Sequence, residues 1–179
     1  MKENYSRNLT RMALVAALLC ILGPLTLPIP FSPVPISLIH IGIYLGVYAL
    51  GARQATVAVL LYLLIGAAGL PVFSGFGGGL QKLAGPTGGY LIGYLFLAIV
   101  GGLFVDREKG RPRDALGLLL GNACMYALGT IWLSLQTGLG AWAALLAGVI
   151  PYLPLDAIKF FAALAAGPKV RRTLRKQKK

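Results

Sequence analysis

Apolar positions along the chain gather into six stretches, Arg11 to Pro28, Pro35 to Leu50, Ala55 to Leu70, Gly88 to Val105, Ala115 to Leu135 and Ala141 to Gly167. Each approaches the roughly 20 residues that a helical bilayer crossing needs, so the pattern predicts an all-α membrane protein, a six-transmembrane-helix bundle. The second and third stretches are short or abut loops, which leaves their ends soft. Two interruptions stand out. Pro30-Phe31-Ser32-Pro33-Val34-Pro35 disfavours helix through its prolines, and in the glycine-rich segment from Gly69 to Gly89 the stretch Gly69 to Lys82 is too glycine-rich to be helical and too apolar for a solvated linker. The second segment predicts a lid over a cavity, since lipid tolerates irregular backbone only where protein or water satisfies it. No internal repeat is visible, and residues 1–179 read as a single membrane domain with a basic tail from 168 to 179.

Composition agrees: 57% of residues are hydrophobic and 12% charged, far from a soluble globular balance. The net charge of +12 raises nucleic acid as a partner, but the basic tail KVRRTLRKQKK carries no interleaved stacking aromatics, and a lipid-facing anchor explains it better. Lys2, Arg7, Arg11, Arg53, Arg107, Lys109, Arg111, Arg113 and the tail fall on one side of six crossings, and Lys82 falls on the other. The positive-inside rule then predicts an inner-membrane protein with both termini cytoplasmic and with the proline and glycine loops facing outward. Lys2, Arg7 and Arg11 before the first apolar run resemble a signal peptide. No A-x-A-like site follows, so a retained first helix is expected. Cys20 and Cys124 each lie inside an apolar run with no ligand at metal spacing, and are expected to be buried packing residues.

Candidate chemistry is sparse. Glu3, Asp106, Glu108 and Asp114 lie in terminal or loop segments, which leaves Asp156 as the one acid inside an apolar run, with Lys159 following at i+3. That spacing puts both on one helix face, where they neutralise each other and still offer an acceptor and donors to a ligand. A charge at mid-bilayer costs about 2.5–3.5 kcal/mol on insertion scales, so a substrate site is the default reading of the pair. A self-satisfied structural ion pair is the alternative. Gln81 and Lys82 are candidates for an anionic substrate group, against simple snorkelling of an interfacial lysine. His40 is the only histidine; packing is its ordinary role, and substrate contact or proton relay the sharper one. Tyr90, near the outer boundary, fits an aromatic belt. Small residues at four-residue spacing (Ala13/Ala17, Gly42/Gly46, Gly85/Gly89/Gly93, Gly117/Gly121) suit close helix packing.

No G-x-x-x-x-G-K-[ST] loop is present, and neither a Ser/His/Asp set nor a second intramembrane carboxylate can be assembled. The chain reads as a binding subunit without catalytic residues, metal or cofactor, and without its own motor.

The strings Pro33-Val34-Pro35-Ile36-Ser37-Leu38, Gly66-Ala67-Ala68-Gly69-Leu70-Pro71-Val72-Phe73-Ser74-Gly75, Gly85-Pro86-Thr87-Gly88-Gly89-Tyr90 and Pro154-Leu155-Asp156-Ala157-Ile158-Lys159 run in order over nearly the whole chain. Together they closely resemble the biotin-specific substrate-binding component of energy-coupling factor transporters. The resemblance implies six helices, capture of biotin as transported ligand at the outer face, and association with a transmembrane coupling subunit and two ATPase subunits. It implies substrate contacts at Asp156 and Lys159, adds Phe73 and Tyr90 within its most specific strings, and singles out Ala13 and Ala17 for docking the coupling subunit. A carboxylate suits the two N–H donors of a ureido ring and an ammonium its carbonyl, while the valerate needs a cation or amide donor. The sequence departs from relatives that carry an amide shortly after PVP or in the glycine loop, where Ile39-His40 and Gly77-Gly78-Gly79 stand here. A stand-alone secondary carrier for a small vitamin-like anion, coupled to protons through Asp156 or His40, is the principal alternative. A lipid-modifying membrane enzyme and a ligand-free scaffold complete the set.

Overall fold

The computed structural model describes residues 2–28, 34–105 and 110–176. Pro30, Phe31, Ser32 and Pro33 of the proline segment and Asp106, Arg107, Glu108 and Lys109 of the basic loop lie outside the described residues. So do the side chains of Lys2, Glu3 and the tail from Arg175 onward. The elements run α1 (Lys2–Leu22), β1 (Thr26–Leu27), β2 (Ile36–Ser37), α2 (Ile39–Leu50), α3 (Ala52–Ala67), α4 (Leu80–Ala84), α5 (Gly88–Val105), α6 (Arg111–Thr137), α7 (Ala141–Gly148), a 3-10 turn (Ile150–Tyr152) and α8 (Leu153–Lys176).

The chain is mostly helical, and three segments are long and apolar enough to cross a membrane: Gly88–Val105, Arg111–Thr137 and Ala141–Leu174. Ile39–Leu50 and Ala52–Ala67 are apolar but shorter. At about 1.5 Å per residue, α2 spans only about 18 Å of a roughly 30 Å hydrocarbon layer. Several expected boundaries change. The first helix starts before Arg11 and stops at Leu22, where Gly23 and Pro24 end it. The second run begins as a strand, Thr26 pairing with Ser37 and Leu27 with Ile36 in an antiparallel ladder. The last run is not continuous: Val149 leaves helical geometry (φ −131°), and Pro151, which has no N–H to donate, falls in the 3-10 turn that separates α7 from α8.

Glycines decide how closely the helices approach. Along the antiparallel α5–α6 pair, a Cβ on Gly89 would lie 2.2 Å from Trp132 Cβ and one on Gly93 2.7 Å from Met125 Cγ. From the other side, Gly117 and Gly121 receive Phe104 and Leu97. Large side chains of each helix thus seat on glycines of the other, the small-residue packing that drives association in lipid. Gly42 and Gly46 of α2 seat Leu22, Leu19 and Val15 of α1, and Gly167 of α8 lies against the Tyr48 ring of α2.

These pairings sort the bundle's two ends. The α2–α3 junction at Gly51, the end of α5, the start of α6 and the end of α8 meet at one end: Gly102 packs on Ala52, and Arg171 Nη1 donates to the Val105 carbonyl at 2.5 Å. The β1–β2 hairpin, the glycine segment and α4 occupy the other. There Phe73 N–H donates to the Gly77 carbonyl (2.9 Å) and Gly79 N–H to Gly66 (2.7 Å), and Gly75 N–H reaches Thr26 Oγ1 (3.1 Å). The glycine segment is therefore folded back on itself and latched to the hairpin. Phe76 is the one described non-glycine with positive φ (57°), directly after Gly75 (φ 67°), in the tight turn that the Phe73–Gly77 bridge closes.

Candidate functional site

Asp156 and Lys159 come from the first turns of α8, one turn apart, and both are buried in a chain whose apolar faces are open. Lys159 Nζ donates to Asp156 Oδ1 at 2.7 Å and to the Ser37 carbonyl at 2.6 Å. The ammonium thereby ties α8 to the second hairpin strand, and the Ser37 hydroxyl accepts the Ile39 N–H (3.2 Å) that opens α2. Tyr126 of α6 donates its hydroxyl to the other carboxylate oxygen of Asp156. Nearby, Tyr152 in the 3-10 turn donates to the Val34 carbonyl, so the break in the sixth run also holds the hairpin.

His40 is buried at the start of α2, with Nδ1 3.9 Å from Asp156 Oδ1 and no hydrogen-bond partner on that nitrogen. Its Nε2 stands 3.3 Å from Met125 Sδ, and its ring meets Tyr94 edge-on at 5.4 Å. Packing thus fixes the ring while one nitrogen faces the carboxylate. Asn122, one turn before Tyr126, donates its amide nitrogen to the Tyr44 hydroxyl, and its carbonyl oxygen is buried without a partner. Tyr44 in turn packs edge-on against Phe160 at 6.4 Å.

Asn122, Tyr126, Asp156 and Phe160 line the wall of a cavity of about 410 Å³ between α6 and α8, with the exposed Leu119 and Phe161 at its rim; Lys159 and His40 lie behind Asp156 and do not line it. The volume falls within the range of about 300–1,000 Å³ usual for small-molecule sites, and its lining is apolar with a few convergent polar groups. A carboxylate has about four lone-pair positions, so Asp156 keeps acceptor capacity after Lys159 and Tyr126. The wall can therefore accept N–H donors from a neutral ring at Asp156 and at the Asn122 carbonyl.

The other sequence-derived candidates sit elsewhere. Gln81 and Lys82 are on the short α4, and among the described residues no hydrogen bond or ion pair joins them to the Asp156 cluster. The Lys82 stem lies over Gly77. Phe73 is fully buried, edge-on to Tyr62 at 5.5 Å and against Gly66, where it anchors the glycine segment into the core. Tyr90 is not part of an exposed aromatic belt. It is buried with Leu133 and Ala144, its ring on Gly129 and its hydroxyl beside Gly148, because those glycines leave room for it between α6 and α7. Ala13 and Ala17 lie exposed on α1 beside the equally exposed Leu14 and Leu18. Cys20 is half-buried, and Cys124 is exposed on α6 instead of packed inside, because α6 turns that face away from α5. Asn122 and Tyr126 were not among the sequence candidates, although their i, i+4 spacing places the only amide of the fifth run and a tyrosine on one helix face.

Comparison with known proteins follows the same geometry. The chain is similar to the biotin transporter BioY of Rhizobium etli, 36% identical with 92% of this chain and 93% of the relative covered. It is also similar to BioY of Rhodobacter capsulatus (40% identical; 86% and 87% covered) and of Thermotoga maritima (38%; 75% and 79%). Among solved structures, the S-component for biotin from an ECF-type ABC transporter superposes with a TM-score of 0.89 at 31% identity, covering 96% of this chain and 94% of that one. A second S component of a bacterial ECF transporter, 16% identical with a TM-score of 0.59, shares the fold. With the BioY family model matching residues 1–176, and with relatives that align over most of their own length, this chain belongs to the BioY family.

Proposed function

We propose that the chain is the biotin-binding membrane subunit of an energy-coupling factor importer, with the ureido ring of biotin held at Asp156 and Lys159. The observation that carries the reading is the buried Asp156–Lys159 pair at 2.7 Å beside a roughly 410 Å³ cavity, with the Asn122 carbonyl unpartnered in its wall. Two buried charges are an expense that seldom improves stability over apolar replacements, which favours a ligand role. In this reading Asp156 accepts ureido N–H groups, Lys159 releases part of its hold on Ser37 to meet the ureido carbonyl, Asn122 completes the polar wall, and His40 backs Asp156 from behind. Gln81 and Lys82, on the same end of the bundle as Ser37, are assigned to the valerate.

The whole chain forms one six-crossing domain with both termini in the cytoplasm and the glycine segment capping the outer end. The clustering of Arg53, Arg111 and Arg171 at one end, with Lys82 at the other, supports that orientation. Exposed Ala13 and Ala17 provide a smooth strip for docking a transmembrane coupling subunit, which two ATPases drive. Vesicles carrying this chain alone are expected to bind radiolabelled biotin without accumulating it when ATP is supplied. Accumulation by the chain alone would overturn the reading.

A further inference from the structure

A second cavity, of about 370 Å³, lies at the end of the bundle away from the hairpin, between the end of α2, the start of α6 and the last turns of α8. Among the described residues, Arg111, Lys169, Arg171 and Arg172 line it with one carboxylate, Asp114, so four cations face one anion there. Arg171 is held by the Val105 carbonyl, and Asp114 is buried beside Tyr48 and engaged within the protein. Arg111, Lys169 and Arg172 make no hydrogen bond or ion pair through their side chains among the described residues, although they converge on one concavity from two helices. An anion shared among them would relieve their mutual repulsion.

We infer that this cavity binds the phosphate of an anionic phospholipid headgroup. The chemistry itself fits any phosphate, and the place selects lipid: the recess lies between helices at one end of a bundle with exposed apolar outer faces, at the level where headgroups of the surrounding leaflet stand. Basic recesses between membrane helices are a recognised kind of headgroup site, and each Lys or Arg near an anionic lipid surface strengthens binding about fivefold.

The test uses the full chain purified in a neutral detergent and titrated with phosphatidylglycerol or phosphatidylcholine, read by thermal unfolding and by lipid retained in native mass spectrometry. Phosphatidylglycerol is expected to raise the unfolding temperature and stay bound, and phosphatidylcholine to do neither. Lys169→Gln/Arg172→Gln should weaken retention about thirtyfold, while Arg53→Gln, exposed at the same end but outside the cavity, should leave it unchanged. Arg111→Gln, on the other helix, should weaken it about fivefold and provides a reading if the double variant fails to fold. Equal protection by phosphatidylcholine, by inorganic phosphate or by a polyglutamate peptide would overturn the assignment, as would an equal loss in Arg53→Gln.

Discussion

Neutralising the two charges of the α8 pair, singly and together, separates a ligand site from a structural ion pair. Asp156→Asn keeps the side chain's shape but turns one acceptor oxygen into a donor facing Lys159 or Tyr126, both of which already donate to it. A hydrogen bond to a charged partner is worth about 1.5–3 kcal/mol, so loss of one charge-assisted bond to a ureido N–H weakens biotin binding about tenfold to a hundredfold. Lys159→Met removes the cation 2.7 Å from a buried carboxylate and leaves the Ser37 carbonyl without its donor, which should destabilise the protein by about 3–5 kcal/mol. The double variant has no stranded charge. It should therefore recover much of the thermal stability lost by Lys159→Met while binding biotin no better than Asp156→Asn. Isothermal titration and thermal unfolding of the three purified variants measure both quantities. A double variant that binds biotin within twofold of the natural protein would refute the reasoning, because the pair would then hold only the fold.

Three further outcomes follow from named contacts. Gly89→Ala places a Cβ 2.2 Å from Trp132 Cβ and 2.9 Å from the Leu128 carbonyl, and should cost about 1–3 kcal/mol in detergent unfolding, whereas Gly140→Ala, with nothing within 4 Å, should cost little. Asn122→Leu removes the unpartnered carbonyl from the cavity wall and also the amide that donates to the buried Tyr44 hydroxyl, so it should reduce biotin affinity about tenfold in a titration and cost about 1–3 kcal/mol in detergent unfolding. In a Cys20→Ala/Cys124→Ala background, an impermeant thiol reagent applied to whole cells should label Lys82→Cys and spare Thr173→Cys. Labelling at 173 would refute the orientation.

How much of this was legible in the sequence depends on whether a feature is local. The Asp156–Lys159 pair was, because a lone acid with a base at i+3 inside an apolar run has few readings, and its ion pair is made within one helix turn. Helix α5 matches its expected ends because glycines and the charged loop bound it sharply. The Gly42/Gly46 and Gly117/Gly121 spacings likewise announced close helix contacts. The hairpin was not legible, since its two-residue strands are held by Lys159 and Tyr152 from far along the chain. Tyr90 looked interfacial for a similar reason: the glycines that bury it, Gly129 and Gly148, lie on α6 and α7. The break in the sixth run did have a local sign, Pro151, which a hydropathy pattern passes over because proline interrupts hydrogen bonding without adding charge.

Ligand binding by the isolated chain tests the central claim most directly. Isothermal titration of the detergent-purified protein with biotin, and separately with a biotin analogue whose ureido ring is opened, asks whether the site exists and whether its polar end reads the ring. One biotin per chain with saturable affinity, and a loss of at least tenfold for the ring-opened analogue, is the result expected if Asp156 and Lys159 hold the ureido group. Absence of heat and of thermal protection with biotin, or equal affinity for both compounds, would contradict it.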